Sequence, residues 1–358
     1  MNAGKTSLVL MSLLISGVSG AAEIYNKDGN KLDLYGSMRA RHYFSDDTSV
    51  DGDNSYLRFG FRGQTQINDK LTGFGQWEYN IQANKSEAEG TDGSKTRFGY
   101  AGLRYGDLGS LDYGRNAGVL YDVASITDFA PIFDIMTDSY TDGFLTGRAN
   151  GLLTWRNNNL FGLNDKIKFA VQYQGQNGEG SNNSSRSVYA ANGEGAGMSA
   201  SYAFDWGGTL LAAYGNSKRT TAQQALAYGD GERAEMWATG FKYNPGPFYA
   251  AVKYSQGYNI TPIKNYGYAN KTQNIEAYLR YVSDNGITPG IGWFQSKGKE
   301  IEGYGDVDLV KYLDLNISYF FNKNFFTYAD YKVNRLSENT PFGISTDNSF
   351  GVGMTYQF

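Results

Sequence analysis

The feature that most constrains this chain is a two-residue alternation that recurs from near its start to its last residue. In the final segment, Phe350, Val352, Met354, Tyr356 and Phe358 share one parity, and Gly351, Gly353, Thr355 and Gln357 the other. Successive side chains of an extended strand point to opposite sides, so this is a ribbon with one apolar face and one small, polar face. The same scheme sets Leu32, Leu34, Gly36, Met38 and Ala40 against Asp33, Tyr35, Ser37, Arg39 and Arg41. It sets Leu57, Phe59, Phe61, Thr65 and Ile67 against Arg58, Gly60, Arg62, Gln64 and Gln66, and Trp77, Tyr79 and Ile81 against Gln76, Glu78, Asn80 and Gln82. Further on, Trp237, Phe241 and Tyr243 are read as opposing Glu235 and Lys242. Ile275, Ala277, Leu279 and Tyr281 oppose Asn274, Glu276, Tyr278 and Arg280, and Leu313, Leu315, Ile317 and Tyr319 oppose Asp314, Asn316 and Ser318.

Roughly sixteen strands of this kind fit the chain, an even number as membrane barrels require. They lie near 31–43, 54–67, 71–84, 94–105, 109–116, 144–157, 165–175, 196–205, 208–217, 232–244, 247–256, 271–283, 287–297, 308–321, 324–334 and 347–358. Their connectors alternate in length. Asn68-Asp69-Lys70, Gly106-Asp107-Leu108, Asn244-Pro245-Gly246 and Asp284-Asn285-Gly286 are short turns built from turn-forming residues, whereas 176–195 and 218–231 are long and polar. A soluble sandwich would also alternate, but with its apolar face inside and with linkers between domains, and no linker or composition break occurs. The composition, with 46 Gly, 29 Tyr and 21 Phe against 6 Pro, suits short strands, tight turns and interfacial aromatic girdles. A sheet in lipid must close to leave no backbone group unpaired. About sixteen strands close around a lumen too wide for side chains to fill, so the polar faces line water. The expected fold is all-β: a sixteen-stranded antiparallel transmembrane barrel.

The first 21 residues differ from the rest. Lys5 precedes an apolar run from Leu8 to Ile15 and a small-residue end at Ser19-Gly20-Ala21, which reads as a secretory signal over 1–21, followed by a barrel over 22–358. Past it no apolar run is long enough for a membrane helix. The formal net charge of −4 and the absence of any basic run argue against a nucleic-acid partner.

One connector stands apart. Residues 116–143 are rich in Val, Leu, Ile and Phe and carry Asp122, Asp128, Asp134, Asp138 and Asp142, with no Lys or Arg between Asn116 and Gly147. A long, apolar and acidic loop in a compact fold packs against something, and the wide lumen is the available place. Arg58, Arg62, Lys95, Arg97 and Arg148 sit on strands at lumen-facing parity. A basic wall facing an acidic loop across a narrow aqueous gap produces a transverse field of the kind that sets ion selectivity.

These residues resemble the general trimeric porins of the enterobacterial outer membrane, over the whole mature chain. The markers are Ala22-Glu23-Ile24-Tyr25-Asn26-Lys27-Asp28-Gly29, Gly75-Gln76-Trp77-Glu78-Tyr79-Asn80, Tyr113-Gly114-Arg115-Asn116, Gly305-Asp306-Val307-Asp308-Leu309-Val310 and the terminal Tyr356-Gln357-Phe358. The resemblance implies a homotrimer in the outer membrane, in contact with its lipid and lipopolysaccharide, that passes ions and small hydrophilic solutes without a cofactor. It also implies a third loop folded into each barrel as a constriction. By motif, the basic side falls on Arg58, Arg97 and Arg148 with Lys95 just above, and the acidic side on Asp128 with Tyr121 nearby. A latch over the neighbouring subunit falls on Glu87 with Arg115, and Phe358 looks like the signal read by the outer-membrane insertion machinery. The chain departs from the family pattern at Ile132, where a Glu is usual, and at Ser37, often Lys; Asp134 is the candidate replacement for the missing acid. The expected selectivity is a weak to moderate preference for cations.

Two other functions would each need residues of a different kind. An enzyme would need a nucleophile and base, yet His42 is the single histidine, there is no Cys, and no metal-ligating or G-x-S-x-G pattern is present. A substrate-specific channel, for sugars for example, would carry an aromatic path, and Tyr35, Phe74, Tyr278 and Tyr328 form no contiguous run in sequence.

Overall fold

The computed structural model describes residues 21–178, 186–263 and 265–358. The signal segment expected over 1–21 lies outside them, apart from Ala21. Sixteen long strands form one closed antiparallel sheet. They are β1 (Asn30–Ser45), β2 (Tyr56–Gln66), β3 (Leu71–Gln82), β4 (Lys95–Tyr105), β5 (Gly109–Ala117), β6 (Arg148–Asn157), β7 (Ile167–Gln174) and β8 (Gly195–Ala203). The second half continues with β9 (Gly208–Lys218), β10 (Arg233–Tyr243), β11 (Phe248–Tyr258), β12 (Lys271–Tyr281), β13 (Ile287–Ile301), β14 (Gly305–Phe320), β15 (Phe325–Asn334) and β16 (Ser349–Gln357). Each predicted strand has its counterpart here.

Closure comes from β16 pairing with β1, from Ser37 opposite Gln357 to Ser45 opposite Ser349. Phe358 continues that lane, exchanging backbone hydrogen bonds with Gly36 at 2.9 and 3.0 Å. A side chain at Gly36 would meet the Phe358 ring at 2.9 Å and the Arg58 carbonyl at 2.5 Å, so the closing seam requires glycine there. Beyond the seam the lane is taken over by Ala22–Lys27, a strand the alternation did not reveal, which pairs with β1 from Ala22 opposite Leu34 to Lys27 opposite Asn30. Both ends of the described chain thus satisfy the same edge of β1, and no backbone edge is left open there.

The faces are inverted relative to a soluble protein. Met38, Leu103, Val171, Met198, Leu210, Leu279, Ile317 and Met354 are exposed on the outside, whereas Glu78, Asn80, Gln172, Lys253, Asn274, Glu276 and Asp314 are buried inside. Side-chain carboxamides close the short turns: Asn68 Oδ1 accepts from the amides of Lys70 and Leu71, both at 3.0 Å, and Asn322 Oδ1 from Asn324 and Phe325 at 2.8 and 2.9 Å.

One face assignment differs from the sequence reading. Glu235 lies on the same outward face as Trp237, accepting from the Tyr214 hydroxyl at 2.9 Å; the two residues share parity, so it cannot oppose Trp237. In β4 a bulge between Glu78 and Tyr79 of the partner strand leaves Arg97 unpaired. Lys95 and Arg97 point inward, as their lumen-facing parity predicts, and the bulge changes parity beyond them, so Tyr100 points inward too.

The largest hydrophobic cluster is not between sheets but between the long loop and the inner wall. Leu120, Val123, Ile126, Phe144 and Leu145 of the loop pack on Met236, Ala238, Tyr249 and Ala251 of the wall. Wall glycines admit the loop: a side chain at Gly240 would stand 2.5 Å from Ile126, and one at Gly351 would stand 2.4 Å from Ile132.

Candidate functional site

The inward loop runs from Gly118, whose amide donates to the Gly147 carbonyl at 2.9 Å, so its two ends leave the wall side by side. Tyr121–Ala124 form one helical turn, followed by a second short turn at Ser125–Thr127. Three sets of polar contacts fix the rest. Asp330 on β15 accepts from the amides of Ile132 and Phe133 at 2.8 and 3.1 Å, and Tyr312 donates to the Phe133 carbonyl at 2.8 Å. Glu276 on β12 accepts from the Thr137 amide and hydroxyl at 2.6 and 2.7 Å and from the Thr127 hydroxyl. Lys253 on β11 pairs with Asp138 of the loop and, at 3.0 Å, with Glu276, while Ser255 donates to Asp138 at 2.6 Å. Lys253, Asp138 and Glu276 are almost completely buried. Charges so buried persist only when paired and hydrogen-bonded, and here the partners come from both loop and wall.

These anchors hold the loop, with its acids Asp128 and Asp134, inside the barrel. Asp128 accepts from the Tyr121 hydroxyl at 3.2 Å, with Asp134 the neighbouring carboxylate. Removal from water, and then the charge of Asp134, hold the Asp128 carboxyl well above the usual carboxylate range. Ile132, where the family pattern has an acid, is buried against Tyr43, Tyr328 and the Gly351 backbone, so its side chain belongs to the packing and not to the gap.

The facing wall is a ladder of arginines on β1, β2, β4 and β6. Arg97 pairs with Glu78 at 2.5 Å, and the Arg58 guanidinium stands 3.9 Å from the same carboxylate and 5.1 Å from the Tyr56 ring. Arg148 donates to the Thr141 hydroxyl at 3.2 Å and lies within electrostatic reach of Arg97 and Tyr121. Lys95 is exposed at the long-loop end of β4. Arg62 does not join this ladder: its guanidinium carbon stands over the Tyr35 ring at 4.3 Å, toward the short-turn end, because it sits two pleats from Arg58. The two latch candidates part company within one chain. Glu87 is exposed in the loop between β3 and β4, whereas Arg115 is held by Asp142 at 2.5 Å, by Asn150 and by the Thr96 carbonyl at 3.0 Å.

Sequence reasoning passed over several participants. Arg39 and Glu78 were legible as lumen-facing by parity, but nothing in one sequence places the loop opposite Arg39. The Lys253–Asp138–Glu276 cluster joins three distant segments and leaves no local signal.

The profile of the Gram-negative porin family matches residues 27–358. The chain belongs to that family. Outer membrane porin C of Enterobacter cloacae is 50% identical over 361 residues, covering 98% of each chain. Outer membrane porin PhoE of Escherichia coli K12 is 50% identical over 361 residues and covers 100% of both. Among solved structures, Salmonella typhi OmpF in complex with daunomycin superposes with a TM-score of 0.86 at 44% identity, covering 94% of this chain and 100% of that one. This porin is accordingly a general diffusion channel of the outer membrane, a conduit and not a member of an enzyme family. A lumen lined by charged side chains and narrowed by an anchored loop suits that task, since ions and small polar solutes cross by diffusion.

Proposed function

We propose that the gap between the Asp128–Asp134 loop and the Arg58–Arg97–Arg148 wall is the charge filter of the pore, with a weak to moderate preference for cations. What supports the reading is that the loop anchored inside the barrel carries Asp128 and Asp134, that Arg58, Arg97 and Arg148 lie on wall strands, and that part of this basic wall is already compensated. Glu78 neutralises Arg97 and stands near Arg58, so the wall acts on passing ions with less than its formal charge. A transverse field also orders dipolar solutes, which must align their charges with it to pass. Lys95 adds positive charge at the entrance, and Arg62 below the gap widens the basic side toward the exit.

The functional unit is a homotrimer of separate pores, with Glu87 reaching over the neighbouring barrel. The exposure of Glu87 at the tip of a long loop supports this, and so does the likeness to outer membrane porins at half identity. Phe358, at the closing seam, is the residue offered to the insertion machinery, and residues 1–21 are the export signal removed before assembly. Lipid and lipopolysaccharide surround the outward apolar face. Catalysis has no support in a single histidine, His42, set apart from any nucleophile–base pair.

Single-channel recording of the purified protein in a planar bilayer under a salt gradient tests both readings. Three equal closing steps and a small reversal potential of cation sign are expected. An anion-signed potential overturns the filter as described, and a single closing step overturns the trimer.

A further inference from the structure

We propose that Arg39 on β1 is a charge-selectivity determinant of this pore, the wall charge that directly opposes the Asp128–Asp134 pair. The inference deepens the filter reading and rests on it. Arg39 points into the lumen beside Tyr56, its guanidinium 5.7 Å from the ring centroid, and Tyr56 is directly opposite it in the β1–β2 register. The acids acting on it are Asp134 and Asp128, both on the loop.

Arg39 has no carboxylate at contact distance, a property it shares on this wall with Arg148, whose guanidinium instead donates to the Thr141 hydroxyl at 3.2 Å. Arg97 is paired with Glu78, Arg115 with Asp142 and Arg156 with Asp122. Arg41, the next lumen-facing residue on β1, spends its guanidinium on the Asn54 carbonyl and side chain at 2.9 and 3.0 Å. Among the described residues Arg39 forms no ion pair, and its Nε makes no hydrogen bond. A charge matched by a carboxylate at contact distance has a short-range field, whereas an unmatched one acts across the whole gap. Arg39 is therefore a wall charge that a passing ion meets without a bound carboxylate beside it, packed against the Tyr56 ring. Arg58 offers a smaller effect because Glu78 stands 3.9 Å away.

The test measures reversal potentials of the full trimer in a KCl gradient for wild type, Arg39→Gln, Arg39→Lys, Arg62→Gln and Asp134→Asn. A unit charge about 10 Å from the ion path in a water-like medium changes local cation and anion concentrations roughly twofold in opposite senses. Arg39→Gln is thus expected to raise the cation-to-anion permeability ratio by about two- to fourfold once salt screening is included. Arg39→Lys should keep the wild-type ratio, because the charge remains while the flat guanidinium is lost. Arg62→Gln should move the ratio less than Arg39→Gln, and Asp134→Asn should lower it. If Arg39→Gln leaves the ratio unchanged while Asp134→Asn lowers it, the Arg39 assignment falls and the filter stands. If neither changes it, both fall. Heat-modifiable migration on gels confirms that each variant is assembled, so a folding failure is not read as a change in selectivity.

Discussion

Replacing Lys253 by Met is the sharpest perturbation of the inward loop. The substitution keeps most of the side-chain volume and removes the one cation held against Asp138 and, at 3.0 Å, Glu276. Both carboxylates are at least 98% buried by side-chain exposure, 2% and 0% respectively, so water cannot take over the role of the ammonium while the loop stays docked. Breaking a buried charge cluster by deleting one partner costs about 3–5 kcal/mol. Because Asp138 is on the loop and Glu276 on the wall, the penalty falls on docking of the loop and not on the barrel, whose hydrogen-bonded ladder is untouched. The Thr137 amide, which donates to Glu276 at 2.6 Å, reports the event by hydrogen exchange. A penalty of that size predicts exchange at Thr137 faster by roughly two to more than three orders of magnitude. Open-channel current should become noisier, with the thermal midpoint of the barrel nearly unchanged. Adding Asp138→Asn and Glu276→Gln to Lys253→Met should restore most of the protection, since neutral amides remain hydrogen-bonded. Protection at Thr137 within threefold of wild type in the single variant would refute the reasoning, and so would a lowered barrel midpoint with a quiet channel.

Other consequences are as direct. The raised Asp128 carboxyl favours the docked loop fully below the ordinary carboxylate range near 3.9, and that contribution is lost as pH rises through the raised native value. Ionisation over the same interval adds negative charge to the gap, so the cation-to-anion ratio should grow with pH above that range; Asp128→Asn should flatten the profile, and a wild-type profile without slope there would contradict the assignment. Gly351→Val places a side chain where Ile132 Cδ1 lies 2.4 Å from even a bare Cβ, so it should displace the loop into the gap and lower single-channel conductance by a measurable fraction. The pair Gly351→Val with Ile132→Ala should recover it. Glu87→Lys should lower the temperature at which the trimer dissociates on gels, while conductance per closing step stays constant; an unchanged dissociation temperature would remove Glu87 from the subunit contact.

The sequence by itself determined the strand count, the even-odd faces and the alternation of short turns with long loops, because each depends on neighbours one or two residues apart. It also marked residues 116–143 as a loop too apolar for solvent. Parity worked wherever the ladder is regular, and Glu235, which shares its parity with Trp237, follows the rule once that parity is respected. Only the tertiary structure decided where the ladder breaks: one unpaired residue in β4 turns Arg97 to the same side as Tyr100, and a bulge leaves no period to detect. Closure likewise placed Ala22–Lys27 and Phe358 on one lane of β1, a pairing between opposite ends of the chain. The contacts that aim the loop join Asp138 to Lys253 and Ile132 to Asp330 over more than a hundred residues. Such contacts are selected by the packed lumen as a whole. The charges of the proposed filter are therefore legible one by one in the chain, while their placement on loop and wall belongs to the closed barrel.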